Sequence, residues 1–118
     1  MSQAETEKYL PLTEATYYIM VTLSEPLHGY AVMQEVEKIS EGTVRVGPGT
    51  LYGVFTNLEK EGLIVKVKEE ERRKSYTLTL KGRAVLLSQV KRLEIMNRNG
   101  LVVSDRLLSD RYNTGGGV

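Results

Sequence analysis

Apolar side chains recur at intervals of three and four residues in the first half of the chain, the spacing that buries one face of an α-helix. A first helix is predicted from Thr13, a good N-cap residue, to Glu25-Pro26, because proline disfavours helix in the residue before it. A second helix is predicted from about Gly29 to Ser40. The apolar faces of these two helices consist of Ala15, Ile19 and Leu23, and of Val32, Val36 and Ile39.

A third helix is predicted to start at Gly47-Pro48-Gly49-Thr50, since proline fits the first helical position, and to end at Gly62. The β-branched segment before it, 43–46, predicts an extended connector or a minimal strand. The inward stripe of the third helix is Leu51, Val54, Phe55 and Leu58. Its outward face is then Thr50, Tyr52, Gly53, Thr56, Asn57 and Lys60.

Alternation of apolar and polar residues predicts two strands next, Ile64–Lys68 and Ser75–Leu80. The alternating residues are Val65 and Val67 in the first strand and Tyr76, Leu78 and Leu80 in the second. The segment between the strands, Glu69–Lys74, contains no Asn-Gly or Asp-Gly pair, so a loose hairpin tip is predicted.

Thr79 is predicted to cap a last helix with a long apolar stripe, formed by Leu86, Val90, Leu93, Met96, Gly100, Val103 and Leu107. A helix of about 25 residues would extend about 38 Å, which is longer than a domain of this size can cover. The stripe therefore needs a partner, and a second copy of the chain is favoured. Asn99-Gly100 leaves open whether the helix is continuous or whether Leu101–Tyr112 forms a separate helix.

This order of elements predicts a fold that is mainly α with a small antiparallel β-hairpin (α+β), a winged helix-turn-helix plus a long C-terminal dimerisation helix. The winged helix-turn-helix would occupy residues 9–80 and the dimerisation helix residues 81–110, and the NTGGGV segment, 113–118, is expected to be disordered. The amino-terminal segment has no apolar run behind a basic start, and no segment approaches the ~20 apolar residues needed to cross a bilayer. A cytoplasmic location is expected.

The residue types present argue against disulfides, metal sites and the common catalytic motifs. The chain has no Cys and one His, which argues against a disulfide or a metal site. The GPGTLYG segment lacks the Lys-Ser/Thr ending of a phosphate loop, and no G-x-S-x-G motif is present. We therefore expect no enzymatic activity, no cofactor and no metal.

The net charge of +1 means that a nucleic-acid surface would have to come from clustering of positive charge. The candidate cluster is Arg72-Arg73-Lys74 on the hairpin tip, which Lys66 and Lys68 precede. Because Glu69-Glu70-Glu71 adjoins it, a solvated turn of mixed charge is an equal alternative.

The outward face of the third helix carries the functional hypothesis, because a helix that enters a DNA groove needs small and hydrogen-bonding residues. For Thr50 a capping role, for Tyr52 a half-buried surface position and for Gly53 close packing are the alternatives. At the start of the second helix, His28 and Tyr30 could contact phosphate, although a cap or packed ring is favoured for His28 and a core position for Tyr30. The predicted DNA-binding residues are His28, Tyr30, Gly47, Pro48, Gly49, Thr50, Tyr52, Gly53, Thr56, Asn57, Arg72, Arg73 and Lys74.

Four segments of the chain are distinctive in their order and spacing, namely YLPLTEATYYIM, HGYAVMQEVE, VGPGTLYGVFTNLEKEGLI and RKSYTLTLKG. Through these segments the chain resembles, from about Tyr9 to Leu108, the PadR family of bacterial transcriptional regulators. The single helix after the wing resembles the small PadR subgroup. The resemblance implies a homodimer joined through the last helix with help from the first. It also implies a DNA-reading third helix with Gly49, Thr50, Tyr52 and Gly53, and a wing with Arg72, Arg73 and Lys74.

The resemblance further implies repression that a small effector, often aromatic or drug-like, relieves near the dimer interface. The leading interpretation is a dimeric winged-helix repressor that binds a pseudo-palindromic operator. Those members of the small subgroup that stack flat drugs do so on a Trp of the last helix, and this chain has no Trp. The candidate lining residues are then Tyr9, Tyr17, Tyr18, Met20 and Met96, which are interpreted first as core and interface residues. The competing interpretation is a winged-helix dimer that serves as a protein-interaction module without DNA.

Overall fold

The computed structural model describes residues 2–70 and 73–113, and the side chains of all of these except 68, 69 and 111–113. Within them, five helices and three strands follow each other in the order helix, helix, strand, helix, helix, strand, strand, helix. They are α1 (Gln3–Glu7), α2 (Glu14–Thr22), β1 (Leu27–His28), α3 (Gly29–Ile39), α4 (Pro48–Lys60), β2 (Ile64–Glu70), β3 (Arg73–Leu78) and α5 (Leu80–Asn113). The predicted α+β winged helix-turn-helix with a long last helix is confirmed.

The three helices that periodicity predicts in the first half of the chain are present as α2, α3 and α4. Thr13 caps α2, accepting a hydrogen bond from the Thr16 N–H at 3.1 Å. At the far end of α4, Gly62 has a φ of 73°, a conformation that favours glycine, and this ends the helix as predicted.

The sheet differs from the prediction, because the third strand comes from a different segment. β1 pairs antiparallel with β3, in the register Leu27↔Tyr76 and His28↔Ser75, and the strand order is β1-β3-β2. β3 thus has a neighbour on both sides, so neither of its edges is open to the 43–46 connector. No strand is present in 43–46, so the alternative of a minimal strand there is wrong.

The hairpin is longer than predicted. The ladder continues to the pair Glu70↔Arg73, which leaves only residues 71 and 72 between the strands. The prediction of a loose hairpin tip of six residues is therefore wrong. A bulge between Lys66 and Lys68 inserts an extra residue and shifts the alternation, a distortion that the residue pattern does not reveal. Ile64 and Leu78 are buried and Tyr76 is half-buried, whereas Val65, Val67 and Leu80 are exposed.

The core lies between α2, α3, α4, the sheet and the first turns of α5. Among the predicted inward residues, Ile39, Val54 and Ala15 are half-buried, and the others on these helices are buried. The buried apolar residues are Ile19, Met20, Leu23, Val32, Val36, Val46, Leu51, Phe55, Leu58, Leu63, Ile64, Leu78 and Val85.

The end of α4 is tied to the start of α5 by a set of hydrogen bonds that we call the α4–α5 joint, residues 61–63 and 79–82. The Thr79 hydroxyl donates to the Gly62 carbonyl at 2.6 Å, and the Thr79 N–H donates to the Leu63 carbonyl at 3.1 Å. The Lys81 ammonium donates to the Glu61 carbonyl at 2.9 Å. A side-chain hydrogen bond with Tyr9 is the main reason that the pKa of Lys81 is raised above its usual value. The joint therefore links the two helices through both backbone and side chains.

The last helix is continuous from Leu80 to Asn113, which settles the question at Asn99-Gly100. Its first half packs on the body of the protein, where the Gln89 side-chain oxygen accepts from the Leu12 N–H at 2.8 Å. All side chains from Glu94 to Asp110 are exposed. Asn113, the first residue of the segment predicted as disordered, is the last residue of α5, and the rest of that segment lies outside the described residues. None of the described helices combines the length and the apolar character needed to cross a membrane.

Candidate nucleic-acid interface

The outward face of α4 is exposed along its whole length. Thr50, Tyr52, Gly53, Thr56, Asn57 and Lys60 are all exposed, as their positions in the helical period predict. The N-cap of α4 is Gly47, which makes no side-chain cap hydrogen bond. Since Thr50 is inside the helix, the capping role that we considered for it does not apply. The N–H groups of the first turn, including those of Gly49 and Thr50, have no intrahelical acceptor and are available to a ligand.

Gly53 has no structural reason within the described part of the chain to be glycine. A Cβ built on Gly53 would have no neighbouring atom within 4 Å, and its φ is not positive. Close packing, the alternative explanation for this residue, is therefore wrong within a single chain. A mid-helix glycine destabilises a helix by about 1 kcal/mol relative to alanine. An external partner that approaches the backbone would account for it.

The start of α3 contributes two of the predicted residues. His28 is the N-cap of α3, and its Nδ1 accepts from the Ala31 N–H at 3.4 Å, so the predicted capping role is present. Tyr30 is 63% exposed, and the core position that we favoured is wrong. The buried positions of α3 are Gly29, Val32 and Val36, and Tyr30 follows Gly29 on the outward side.

The start of α3, the face of α4 and strand β3 enclose an open cavity of about 570 Å³, which we call the wing groove. It collects predicted residues from all three elements, namely His28, Tyr30, Tyr52, Thr56, Arg73 and Lys74. It is also lined by residues for which the sequence predicts no DNA-binding role, namely Gly29, Phe55, Glu59 and Tyr76. Glu59 lies seven residues after Tyr52, which is the same helix face, so its position was available from the helical period.

Aromatic rings form the floor of the wing groove. The rings of Tyr52 and Phe55 meet edge to face at 6.1 Å between centroids, and those of Phe55 and Tyr76 lie 4.8 Å apart. Phe55 is buried and Tyr52 is 53% exposed. About half of the Tyr52 side chain is therefore covered, as the alternative of a half-buried surface position predicts. The exposed part of the ring lines the wing groove. Since Tyr76 is on β3, the row of rings fixes the wing relative to α4.

The remaining predicted DNA-binding residues lie outside the groove lining. Gly47, Pro48, Gly49, Thr50 and Gly53 lie along the start and outward face of α4. Asn57 lines a smaller cavity of about 180 Å³ that also contacts Tyr9, Thr16 and Glu61. Arg72 lies outside the described residues. In the wing groove, Arg73 and Lys74 carry positive charge and Glu59 carries negative charge, so the groove has a local excess of positive charge.

The residues proposed for an effector pocket do not share one surface. Met20 is fully buried in the core, and Met96 is exposed on α5. Tyr17 and Tyr18 are half-buried on α2 with their rings 5.4 Å apart, and Tyr9 lines the 180 Å³ cavity. Met96 lies seven residues beyond Gln89, which places it about 10 Å further along the helix than the hydrogen bond between Gln89 and Leu12.

The stripe predicted for dimerisation divides into two parts. Leu86, Val90 and Leu93 are half-buried within the chain, whereas Met96, Gly100, Val103 and Leu107 are exposed. Among the residues that the structure describes, no group of His, Cys, Asp or Glu side chains could hold a metal ion.

Comparison with known proteins decides the family. The model of the PadR-like family of transcriptional regulators matches residues 19–88, from the core of α2 to the first turns of α5. The chain belongs to the PadR-like family. Its members are transcriptional regulators, and the chain has winged-helix architecture.

Similar proteins include the following three, one of which is itself PadR-like. A 37.1 kDa protein of transposon Tn4556 from Streptomyces fradiae is 36% identical over 74 residues, which are 62% of this chain and 21% of that protein. This chain therefore matches only about a fifth of that protein's length. A PadR-like transcription factor from B. fragilis is 29% identical, with a TM-score of 0.62 and coverage of 75% of this chain and 88% of that one. H. salinarum RosR has the same fold, with 23% identity, a TM-score of 0.62 and coverage of 86% and 98%.

Proposed function

We propose that this PadR-like regulator is a repressor that binds a pseudo-palindromic operator as a homodimer. The observation that carries the proposal is the wing groove, where residues from α3, α4 and β3 converge around aromatic and basic side chains. In this arrangement α4 would enter the major groove, and the start of α3 and the wing would contact the sugar-phosphate backbone on either side.

The chemistry of each part fits that division of roles. The hydroxyl groups of Thr50 and Tyr52 can exchange hydrogen bonds with base edges or phosphates, and the open amides at the start of α4 can bind a phosphate oxygen. The Thr56 hydroxyl donates to the Tyr52 carbonyl at 2.8 Å, so it can only accept from a donor on a base edge. Arg73 and Lys74 would supply sequence-independent attraction to phosphate. Gly53, which has no neighbour within the chain, would allow the α4 backbone to approach the DNA closely.

The exposed part of α5 supports a homodimer. Thirteen exposed large apolar side chains are found in the described residues, and seven of them lie between Glu94 and Asp110 on α5. In a symmetric dimer the two copies of α4 should lie about 34–36 Å apart, one turn of DNA, so that both can read half-sites on one face. A small aromatic or drug-like effector near this interface would then relieve repression by changing the distance between the two α4 helices.

Binding measurements on a duplex from the DNA upstream of the gene test the proposal. We expect specific binding that weakens steeply between 50 and 200 mM salt, since phosphate contacts release counterions. Replacing Arg73 and Lys74 by Ala should weaken binding to operator and random duplexes about equally and reduce the salt slope by roughly 1–2. A Glu70→Ala protein, which removes an acidic residue from the same hairpin, is the control and should not reduce the slope.

Other outcomes are equally informative. If the loss were confined to one base pair of the operator, the wing would read sequence rather than phosphate. If no duplex were bound even at low salt, the alternative of a protein-interaction module would be favoured, consistent with the chain's net charge of only +1.

The homodimer is tested by a substitution on the exposed stripe. Leu107 is 63% exposed, so Leu107→Glu should leave the fold of a single chain intact. In the dimer the new carboxylate would be desolvated without a partner, and we expect the dimer dissociation constant to rise at least tenfold. Ser109→Glu adds the same charge on another face of α5 and serves as the control. Sedimentation showing the same dimer in both variants would reject the interface at Leu107.

A further inference from the structure

Gly29, the first residue of α3, is a buried glycine whose backbone does not require one. Its φ is outside the positive range, unlike those of Gly42 and Gly62. The space around it explains the residue instead. A Cβ on Gly29 would lie 2.9 Å from Oη of Tyr52, 3.3 Å from Cζ of the same ring and 3.2 Å from Cδ2 of Leu51. Carbon atoms do not normally approach a phenol oxygen so closely, so a side chain at this position would displace a neighbour.

The Tyr52 phenol therefore lies directly against the first turn of α3. Phe55 contacts the same ring edge to face, which confines it from a second direction. The outer half of the ring faces the wing groove. Its hydroxyl makes no hydrogen bond to the part of the chain that the structure describes, so it can bond to a ligand in the groove.

We infer that Gly29 is a positioning residue for DNA binding, which holds the Tyr52 hydroxyl at the floor of the wing groove by leaving room for it. The inference rests on the proposed DNA-binding role of the groove. It assigns a role to a residue that would not itself contact DNA. Because position 29 has no side chain, the Tyr52 phenol can lie against the start of α3 instead of projecting further into the groove.

The two neighbours of Gly29 would respond differently to a methyl group. Leu51 is fully buried in the core and has little freedom to move. The Tyr52 phenol is the far end of a half-exposed side chain, and the open groove beside it offers space. The ring would therefore turn outward in a Gly29→Ala protein, removing its hydroxyl from the floor of the groove and occupying volume that the DNA would fill.

A double-mutant cycle tests the inference, with operator affinity and melting temperature measured for Gly29→Ala, Tyr52→Ala and the double variant. Gly29→Ala should weaken operator binding five- to tenfold without lowering the melting temperature, because alanine is the better helix former. In the Tyr52→Ala background the same substitution should change affinity less than twofold, since the ring that it displaces is absent. The Tyr52 ring resonances of the free protein should also shift in Gly29→Ala.

Three results would overturn the inference. The first is wild-type affinity in a folded Gly29→Ala protein. The second is an equal loss of affinity when Gly29→Ala is made in the wild-type and in the Tyr52→Ala protein. The third is an equal fall of the melting temperature in these two backgrounds, which would mean that Leu51 moves instead of Tyr52. The NMR comparison needs no DNA. Unshifted Tyr52 resonances would therefore reject the positioning even if the wild-type protein bound no operator, an outcome that would separately reject the proposed function.

Discussion

Gly82→Ala should lower the melting temperature of the protein by roughly 10 °C, corresponding to a loss of about 2–3 kcal/mol in the free energy of unfolding. Gly82 is the third residue of α5 and is buried in the α4–α5 joint. A Cβ at this position would overlap the carbonyl oxygen of Leu63, a backbone atom that cannot turn aside as a side chain can. The start of α5 would have to move away from the end of α4.

Such a movement would break the hydrogen bonds that form the joint. The Leu63 carbonyl accepts from the Thr79 N–H, and Thr79 Oγ1 accepts from the Gly82 N–H at 3.0 Å. Losing these two hydrogen bonds at about 1 kcal/mol each would cost about 2 kcal/mol, which exceeds the gain of up to about 1 kcal/mol from replacing a helical glycine. The expected balance is a clear loss of stability.

Gly53→Ala is the matched control for this experiment, since it is also a glycine-to-alanine change inside a helix. With no atom within 4 Å of the new methyl group, it should raise the melting temperature slightly. Thermal unfolding followed by circular dichroism at one protein concentration compares the two variants. An unchanged melting temperature for Gly82→Ala would mean that the joint can shift without loss, and that α5 is not rigidly connected to α4.

The helices of this fold follow from local periodicity, and the pieces that the sequence did not predict depend on tertiary contacts. α2, α3 and α4 each have a buried stripe of the correct spacing and a clear start or stop signal. α1 has only five residues, too few for a period to be visible, and is held by contacts such as that of the Ser88 hydroxyl with Thr6 at 3.4 Å. β1 has two residues and exists because β3 offers an open edge.

The candidate site shows the same division. The outward face of α4 could be predicted because it is the complement of an apolar stripe. The wing groove could not be predicted, because Tyr76 and the start of α3 reach it only after the hairpin has packed on α4. The core position predicted for Tyr30 is wrong for the same reason, since an aromatic residue at a helix start gives no local sign of the direction that it faces. Gly29 shows the limit most clearly, because its role depends on a ring 23 positions later in the chain.

Gly53→Glu should weaken operator binding at least a hundredfold, equivalent to roughly 3 kcal/mol, while the protein remains folded. If the α4 backbone approaches DNA at Gly53, the new side chain occupies that space and places a carboxylate next to phosphates. Its effect on the fold should be small or favourable, because the position is open and glutamate is a better helix former than glycine. The loss of binding can then not be attributed to unfolding, and an unchanged or higher melting temperature should accompany it.

Two further substitutions at position 53 separate bulk from charge. Gly53→Gln has nearly the shape of glutamate without its charge, so its loss of affinity measures the steric part, and the difference from Gly53→Glu measures repulsion. The difference should shrink as salt rises from 50 to 200 mM, since added ions screen the phosphates, while the steric part should not. A Gly53→Glu protein that binds the operator like wild type at low salt would show that DNA does not approach this face of α4. The DNA-reading surface would then have to lie on another face of the protein.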